Sequence, residues 1–451
     1  MKRKTIRTAL TSAVVAGACS VANAQSNDAL LNKLVSKGVL TAQEANELKK
    51  ESKVGFDKAY RSKTGLPDYV TSLKIYGDLR GRFDGIYLEN DMNGVPNADR
   101  NRLRYRLRVG ATATLKDNLE LGFRFTSGEP QSSFGGDPIS GNTSFQDNGS
   151  KKFLWVDQAY GRWTPINNDT WKLRGTIGKM ENPFVLSHMV FDQDYTPEGI
   201  GLSGNYNFNK EHSLQFGGGF FWLDEINQGT RSGDDSFLLG LQARWDAKWT
   251  PDLESSVGAA LLAITDPHTL TNFSVPNLNV GNTRNAAGAL VNDYHPVVVD
   301  ASVTYLLEPF ANYRTKFPLK FGGTYIHNPG ASEDNNGYEV GVTAGKAGRK
   351  GTWELSYRWR YTQRDAWYEE MVDSDFGSFY QTGYPNSGLG AGFRAGTNLK
   401  GHILQASYSP ADAFTLSITY YLTGVIERSA VTDQRSESVA GRLNVDAMWK
   451  F

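Results

Sequence analysis

Four arginines, Arg102, Arg104, Arg106 and Arg108, take every second position of one stretch. Between and beyond them run Leu103, Tyr105, Leu107, Val109, Ala111, Ala113 and Leu115. A period of two belongs to a strand, with one charged face and one apolar face; on a helix the same charges would scatter round the axis. Side chains two apart on a strand lie roughly 7 Å from each other. Like charges at that spacing repel by about 0.6 kcal/mol per pair in water, and by several times that in a dry interior. The arginine face therefore needs water or carboxylates. Two settings fit: an exposed strand of a soluble sandwich, or a wall between water and lipid.

The N-terminus bears on that choice. Lys2, Arg3, Lys4 and Arg7 precede an apolar run from Ala9 to Ala18, and Ala22-Asn23-Ala24 fits a small-x-small cleavage site. Residues 1–24 read as a secretory signal peptide. The one cysteine, Cys19, lies inside it, with Ala16 where a lipoprotein signal has Leu. Removing the segment leaves 44 basic against 48 acidic residues and no cysteine, so no disulfide framework is available. Beyond the signal no run of about 18 apolar residues can form a membrane-crossing helix. A transmembrane barrel leaves no such run either, because every second residue faces its lumen.

Residues 25–60 differ from the rest. Leu30, Leu31, Leu34 and Val35 recur at helical spacing, Gly38 can end that helix, and Thr41 with Glu44 forms a capping box for a second one continued by Leu48. Two helices so short either lie as a hairpin on a periplasmic rim or join a coiled-coil bundle among subunits. Residues 61–71 read as linker.

From residue 72 onward the two-residue period recurs to the end. It predicts sixteen strands, over 73–87, 101–115, 119–126, 153–164, 171–179, 199–208, 213–223, 237–249, 253–264, 297–307, 319–327, 338–345, 353–364, 398–408, 414–426 and 439–451. The facing of the fourth is open, since Asp157 and Arg162 have opposite parity. Short links after even-numbered strands alternate with long ones after odd-numbered strands, among them 89–100, 129–152, 180–198, 265–296 and 366–397. Short turns at one end and long loops at the other describe an all-β, antiparallel up-and-down transmembrane barrel of about 16 strands over residues 72–451. An even count returns both ends to the periplasm, beside the helical segment.

An arginine on the lipid face at mid-bilayer costs about 2–4 kcal/mol. The rows must therefore face inward, which makes Arg80, Arg82, Arg102, Arg104, Arg106, Arg108, Arg124, Arg174, Arg358, Arg360 and Arg364 the pore-lining basic candidates. The inward acids on those strands are fewer, namely Asp78, Asp84, Glu120 and Glu354. Tyr87, Trp171, Trp245, Trp249, Tyr361 and Trp449 sit near strand ends, as an aromatic girdle requires. Phe451, preceded by Trp449 at the alternate position, has the form of an outer-membrane assembly signal.

The motifs RNRLRYRLRVG, WVDQAY (Trp155–Tyr160), GKMENPF (Gly178–Phe184) and FDQDYTPEG (Phe191–Gly199) resemble the bacterial "putative porin" family, related in pattern to general diffusion and phosphate-selective porins. The segment LVSKGVLTAQEANEL is similar to one found in that family and in phosphate-selective porins. The resemblance implies an outer-membrane channel for ions and small hydrophilic solutes, with lipid and lipopolysaccharide around it and the barrel-assembly machinery as partner through the C-terminal strand. It also implies that the third long loop, near 180–198, enters the lumen as a constriction, the alternative being a loop that caps the mouth with its acids on surface cations. Glu181, Asp192, Asp194 and Glu198 would then oppose the arginine rows across a water-filled gap and set selectivity; the inward excess of arginine predicts a preference for anions.

Gly217, Gly218 and Gly219, with Gly258–Ala260, predict flat outer patches for a homotrimer, unless they only relieve curvature. Other classes fit less well. There is no G-x-S-x-G, H-E-x-x-H or Gly-rich phosphate loop, and the histidines are scattered singly. No catalytic residue, metal or cofactor is expected, and DQDYTPE lacks the spacing of an EF-hand. Nucleic acid is not expected as a partner of a slightly acidic mature chain. The alternatives are an envelope-anchoring structural barrel with a plugged lumen and, less favoured, a barrel enzyme.

Overall fold

A computed structural model describes residues 31–37, 39–51, 65–89, 99–129, 139–226, 234–271, 275, 279–310, 313–380, 392–427 and 439–451. The signal-peptide reading, Leu30, Gly38 and residues 61–64 of the linker lie outside them. The chain divides into two units, up to Thr71 and from Ser72 onward. In the first, helices run over 31–36 and 42–51. The Thr41 N–H donates to Glu44 Oε2 at 2.8 Å, and the Glu44 N–H returns to Thr41 Oγ1 at 3.2 Å, the reciprocal pairing of a capping box. No helix among the described residues is long and apolar enough to cross a membrane.

The second unit is a closed antiparallel barrel. Its strands are β1 (Val70–Glu89), β2 (Arg100–Leu115), β3 (Leu119–Gly128), β4 (Thr143–Ser144), β5 (Phe153–Asn167), β6 (Trp171–Lys179), β7 (Glu198–Asn207), β8 (His212–Asp224), β9 (Ser236–Thr250), β10 (Leu253–Ile264), β11 (Val297–Leu307), β12 (Phe317–His327), β13 (Asn336–Gly345), β14 (Thr352–Thr362), β15 (Gly377–Tyr380), β16 (Gly392–Ala395), β17 (Leu399–Ala411), β18 (Phe414–Val425) and β19 (Val439–Lys450). Sixteen of them make the wall. β4 is a two-residue addition against β2, while β15 and β16 form a separate hairpin. The wall closes where β1 pairs with β19, from Asp78 opposite Lys450 to Glu89 opposite Val439. Phe451 completes the seam: its N–H and C=O both bond to Gly77 at 3.1 Å. A Cβ on Gly77 would stand 2.4 Å from the Phe451 ring, so only glycine fits there.

The outer face carries Leu121, Ile177, Leu241, Leu261, Phe321, Val340, Leu404 and Ile418, all exposed, as lipid contact demands. Aromatic clusters mark both ends. Trp171 with Tyr206 and Trp245 with Trp249 lie at the short-turn end; Tyr338, Trp359 and Tyr361 lie at the long-loop end.

The open facing of the fourth wall strand, β5, is resolved by a bulge. Arg124 pairs with Gln158 but Phe125 pairs with Val156, so Asp157 is the extra residue. Asp157 and Gln158 are consequently both buried, and Arg162 shares their side despite its parity.

The glycine patches are corrected. Gly217 faces inward, where a Cβ would lie 2.9 Å from the Pro183 carbonyl, and Gly258 faces Asp300 and Arg244. Only Gly218 of the triplet meets an outer residue, Leu241. The physical reason at Gly217 is close approach of loop 180–197, which likewise packs against Gly201 and Gly240, while Gly258 makes room for the Asp300–Arg244 pair.

Candidate functional site

Loop 180–197 departs from β6, turns back along the wall and crosses the barrel. Met180 sits over Gly201, and Phe184 over Gly240. At Val185 the loop is tied to β9: the Val185 N–H donates to Gln242 Oε1 and the Val185 carbonyl accepts from Gln242 Nε2, both at 2.8 Å, and from Arg244 Nη2 at 2.9 Å. Phe184, Met189, Val190 and Phe191 then enter an apolar core with Leu270, Leu290 and Tyr294 of the 265–296 loop and Trp367, Tyr368 and Met371 of the 363–398 loop. Each such side chain removed from water contributes roughly 1.5–3 kcal/mol. Trp367 Nε1 donates to the Val190 carbonyl at 2.8 Å, and Asp192 N–H to the Met371 carbonyl at 2.7 Å. The other two loops are joined by Arg284, fully buried and 2.7 Å from Glu369. Burial nonetheless pushes the Glu369 carboxyl above its ordinary range, against the pull of Arg284.

Apart from Arg80, the arginine rows of β1 and β2 are consumed by carboxylates. Arg80, Arg82, Arg104, Arg106, Arg108 and Arg442 are between 3% and 7% exposed, so none presents an open charge. Arg82 bonds Asp446 at 2.7 Å and Asp375 at 2.8 Å; Arg442 bonds Asp375 at 2.8 Å and Asp84 at 3.0 Å. Asp84 also meets Arg102 at 2.7 Å and Arg104 at 3.4 Å. Arg106 and Arg108 each reach Asp194 at 2.9 Å, and Arg106 also reaches Asp78 at 3.2 Å. Asp157, the bulge residue, holds Arg124 at 2.5 Å and Arg108 at 3.4 Å. Arg80 donates to Asn142 at 2.7 Å.

Farther round, Arg360 pairs with Glu339 at 2.7 Å and Asp373 at 3.3 Å, and Arg364 with Glu427 at 3.6 Å. Burial alone would raise the Asp194 and Asp375 carboxyls. The guanidiniums round them outweigh it and hold both well below the usual carboxylate range.

The four loop acids therefore do different things. Asp194 touches the arginines directly, with no gap between them. Asp192 accepts from the Asp194 and Ser374 N–H groups at 2.8 and 3.0 Å, stitching two loops together. Glu198 pairs with Lys179 at 2.9 Å at the loop base. Glu181 lines a cavity and, among the described residues, makes no ion pair.

Three cavities adjoin the Val185 tie and share Arg244. One of about 800 Å³ opens toward the short-turn end. One of about 400 Å³ is lined by Arg162, Arg174 and Glu181, and one of about 280 Å³ by Lys320, Glu339 and Arg358. Arg244 is spent on Asp300 at 2.5 Å and Arg162 on Glu120 at 3.0 Å. Among the described residues Arg174, Arg358 and Lys320 make no ion pair, so they and Glu181 are the unpaired charges round the two smaller cavities, while Asp169, Lys210, Glu211 and Asp246 add charge of both signs to the largest of the three.

Arg442, Asp375, Asp446, Arg244 and Asp300 were not candidates in the sequence. Arg442 and Asp446 do lie on one face of the last strand, a parity that was legible. Asp375 sits in a loop and carries no period. Among the described residues no group of three or more His, Cys, Asp or Glu is placed to hold a metal.

No curated protein matches the chain. Among solved structures, the high-pH structure of Pseudomonas putida OprB is similar at 14% identity and a TM-score of 0.48, covering 86% of this chain and 96% of that one. The outer membrane channel DcaP of Acinetobacter baumannii is similar at 12% identity and 0.42, covering 84% and 97%. A triple mutant of the Rhodopseudomonas blastica porin is similar at 12% identity and 0.40, covering 84% and 100%. In sequence, residues 92–282, which take in the arginine strand, the bulge and the crossing loop, match the family described as "putative porin".

Proposed function

We propose that this chain is an outer-membrane channel through which ions and small hydrophilic solutes diffuse passively, with anions favoured. The observation that carries it is the closed barrel with an apolar outer face and cavities of about 800 and 400 Å³ alongside the crossing loop. The family match supports a non-enzymatic channel rather than a barrel enzyme. The anion preference rests on Arg174, Arg358 and Lys320 set against Glu181 round the two smaller cavities, not on the neutralised rows of β1 and β2. Such fixed charges are screened over about 8–10 Å near physiological ionic strength, so the preference weakens as salt rises.

Purified protein in planar bilayers gives discrete conductance steps and, in a salt gradient, a reversal potential on the anion side. Cation preference overturns the selectivity. Folded protein that conducts nothing overturns the channel. The rival reading is a structural barrel with a plugged lumen, favoured by the apolar core that three loops build inside the wall. The same current trace separates the two.

The N-terminal helices stand in the periplasm on this reading, and β19 with Phe451 is the assembly signal. A homotrimer is supported by small outward side chains on adjacent strands, Ala243, Ala259 and Ala301. A monomer's mass in mild detergent would count against it.

A further inference from the structure

Most arginines of the interior follow one pattern. Arg82, Arg106, Arg244 and Arg360 each lie against a carboxylate that neutralises them. The 400 Å³ cavity departs from that pattern. Arg174 on β6 and Glu181 at the start of the crossing loop both line it, and among the described residues neither has an ion-pair partner, not even the other. Two opposite charges sharing one cavity without meeting leave a gap with a positive and a negative side. The other two charged groups lining it are occupied: Arg162 pairs with Glu120 and lies over the Tyr160 ring at 4.7 Å, and Arg244 pairs with Asp300. Most of the remaining polar lining is neutral, including Thr176, Ser203, Asn205 and Gln215.

We propose that this cavity is a subsite for small dipolar solutes that carry a carboxylate and an ammonium together, of the α-amino acid kind. The inference rests on the channel reading above. The solute's carboxylate takes the planar fork of Arg174, which matches it with two parallel N–H donors. Its ammonium, a compact charge, faces Glu181. A simple anion gains at Arg174 and loses at Glu181; a simple cation does the reverse. Only a dipolar solute gains at both. The volume suits such a solute: 400 Å³ lies within the range of about 300–1,000 Å³ typical of ligand pockets. At roughly 30 Å³ per water it holds a small amino acid with part of its hydration. Both groups border water, so binding is weak enough for release, as conduction requires.

The test uses full-length mature protein in liposomes and compares entry of L-alanine, L-lactate and L-lactamide. These are close in size and are dipolar, anionic and neutral respectively. Ion conductance of the same preparation is measured first, and lactamide entry normalises each sample for channel number. The expected result is L-alanine entering several-fold faster than either of the others. In Glu181→Gln the alanine advantage over lactate disappears; in Arg174→Gln alanine and lactate both fall relative to lactamide. A measurement that needs no variant is alkaline pH high enough to strip the alanine ammonium, where alanine and lactate converge while the arginines stay charged. Alanine entering no faster than lactamide through protein that conducts ions overturns the subsite and leaves the channel standing. An alanine-to-lactate ratio untouched by Glu181→Gln overturns it too. Absence of ion conductance overturns the channel reading first, and the subsite with it.

Discussion

The barrel uses arginine in two opposite ways. On β1, β2 and β19 the guanidiniums are packed against Asp78, Asp84, Asp194, Asp375 and Asp446, and water hardly reaches them. On β6 and β14, Arg174 and Arg358 border cavities and are unpaired among the described residues. The first group fastens loops to wall, since Asp194 and Asp375 both come from loops. The second supplies the field a solute meets. A row of arginines is thus a poor measure of selectivity: what decides is whether a loop brings a carboxylate to it.

The largest effect that could break this comparison is expected at the fastener. Asp194→Asn leaves Arg106 and Arg108 facing a neutral amide, and stripping one partner from a buried ion pair costs about 3–5 kcal/mol. Thermal unfolding in detergent, followed by circular dichroism, should fall markedly; an unchanged midpoint would mean that the rows do not hold the loop. Next comes the seat of the loop. In Gly240→Ala a Cβ would stand 2.3 Å from the Phe184 ring. Overpacking of this kind costs about 1–3 kcal/mol, and noisier single-channel current should accompany it.

The pair Arg174→Gln with Arg358→Gln sharpens the contrast from the other side. Stability should change by no more than about 0.5 kcal/mol per site, while the reversal potential moves toward cations. Arg104→Ser with Arg106→Ser should do the opposite, lowering stability more than it shifts selectivity. Equal shifts from the two double variants would erase the distinction.

The smallest effect concerns acid. Burial lowers the His188 pKa, and around it lie Asp373 and Glu339 as acids and Arg358 and Arg360 as cations. The folded state therefore disfavours the protonated ring. Stability is full above the ordinary histidine value of about 6.5 and declines as pH falls below it. Asp194 and Asp375, held low by arginine, give their full contribution above the ordinary carboxylate value near 3.9 and lose it progressively as pH falls below that. A melting series from pH 7.5 to 5 should show a shallow decline that His188→Gln removes.

Much of the wall was legible because a period of two is a local signal. Leu119, Leu121, Phe123 and Phe125 announce the lipid face of β3 without help from any distant residue. The strand-four ambiguity was also a true signal, since Asp157 and Arg162 can share a side only if the strand carries one extra residue between them.

The site was less legible, because pairing across the lumen joins positions with no sequence relation. Nothing near Arg82 announces Asp375, 293 residues away. The acidity of the 180–198 loop was visible, but its four acids turned out to have separate tasks. That division depends on the loop turning back under Gly201 and Gly240, and the glycines gave no sign of which side they faced.

The β1–β19 seam also dictates an order of events. Arg82 and Asp446, bonded across it, are 364 residues apart, so the first wall strand, already paired with β2, waits for its second neighbour until the last one has been made. Throughout that wait the growing sheet has two unpaired edges and a naked apolar side, the combination that invites association with other chains. The interior imposes a second demand. Trp367, Phe191 and Leu290 can stack only inside a curled wall, yet a sealed wall would leave their loops to enter through its mouth. Stocking the interior before sealing the seam meets both demands, which makes the final strand the latch of a vessel already filled.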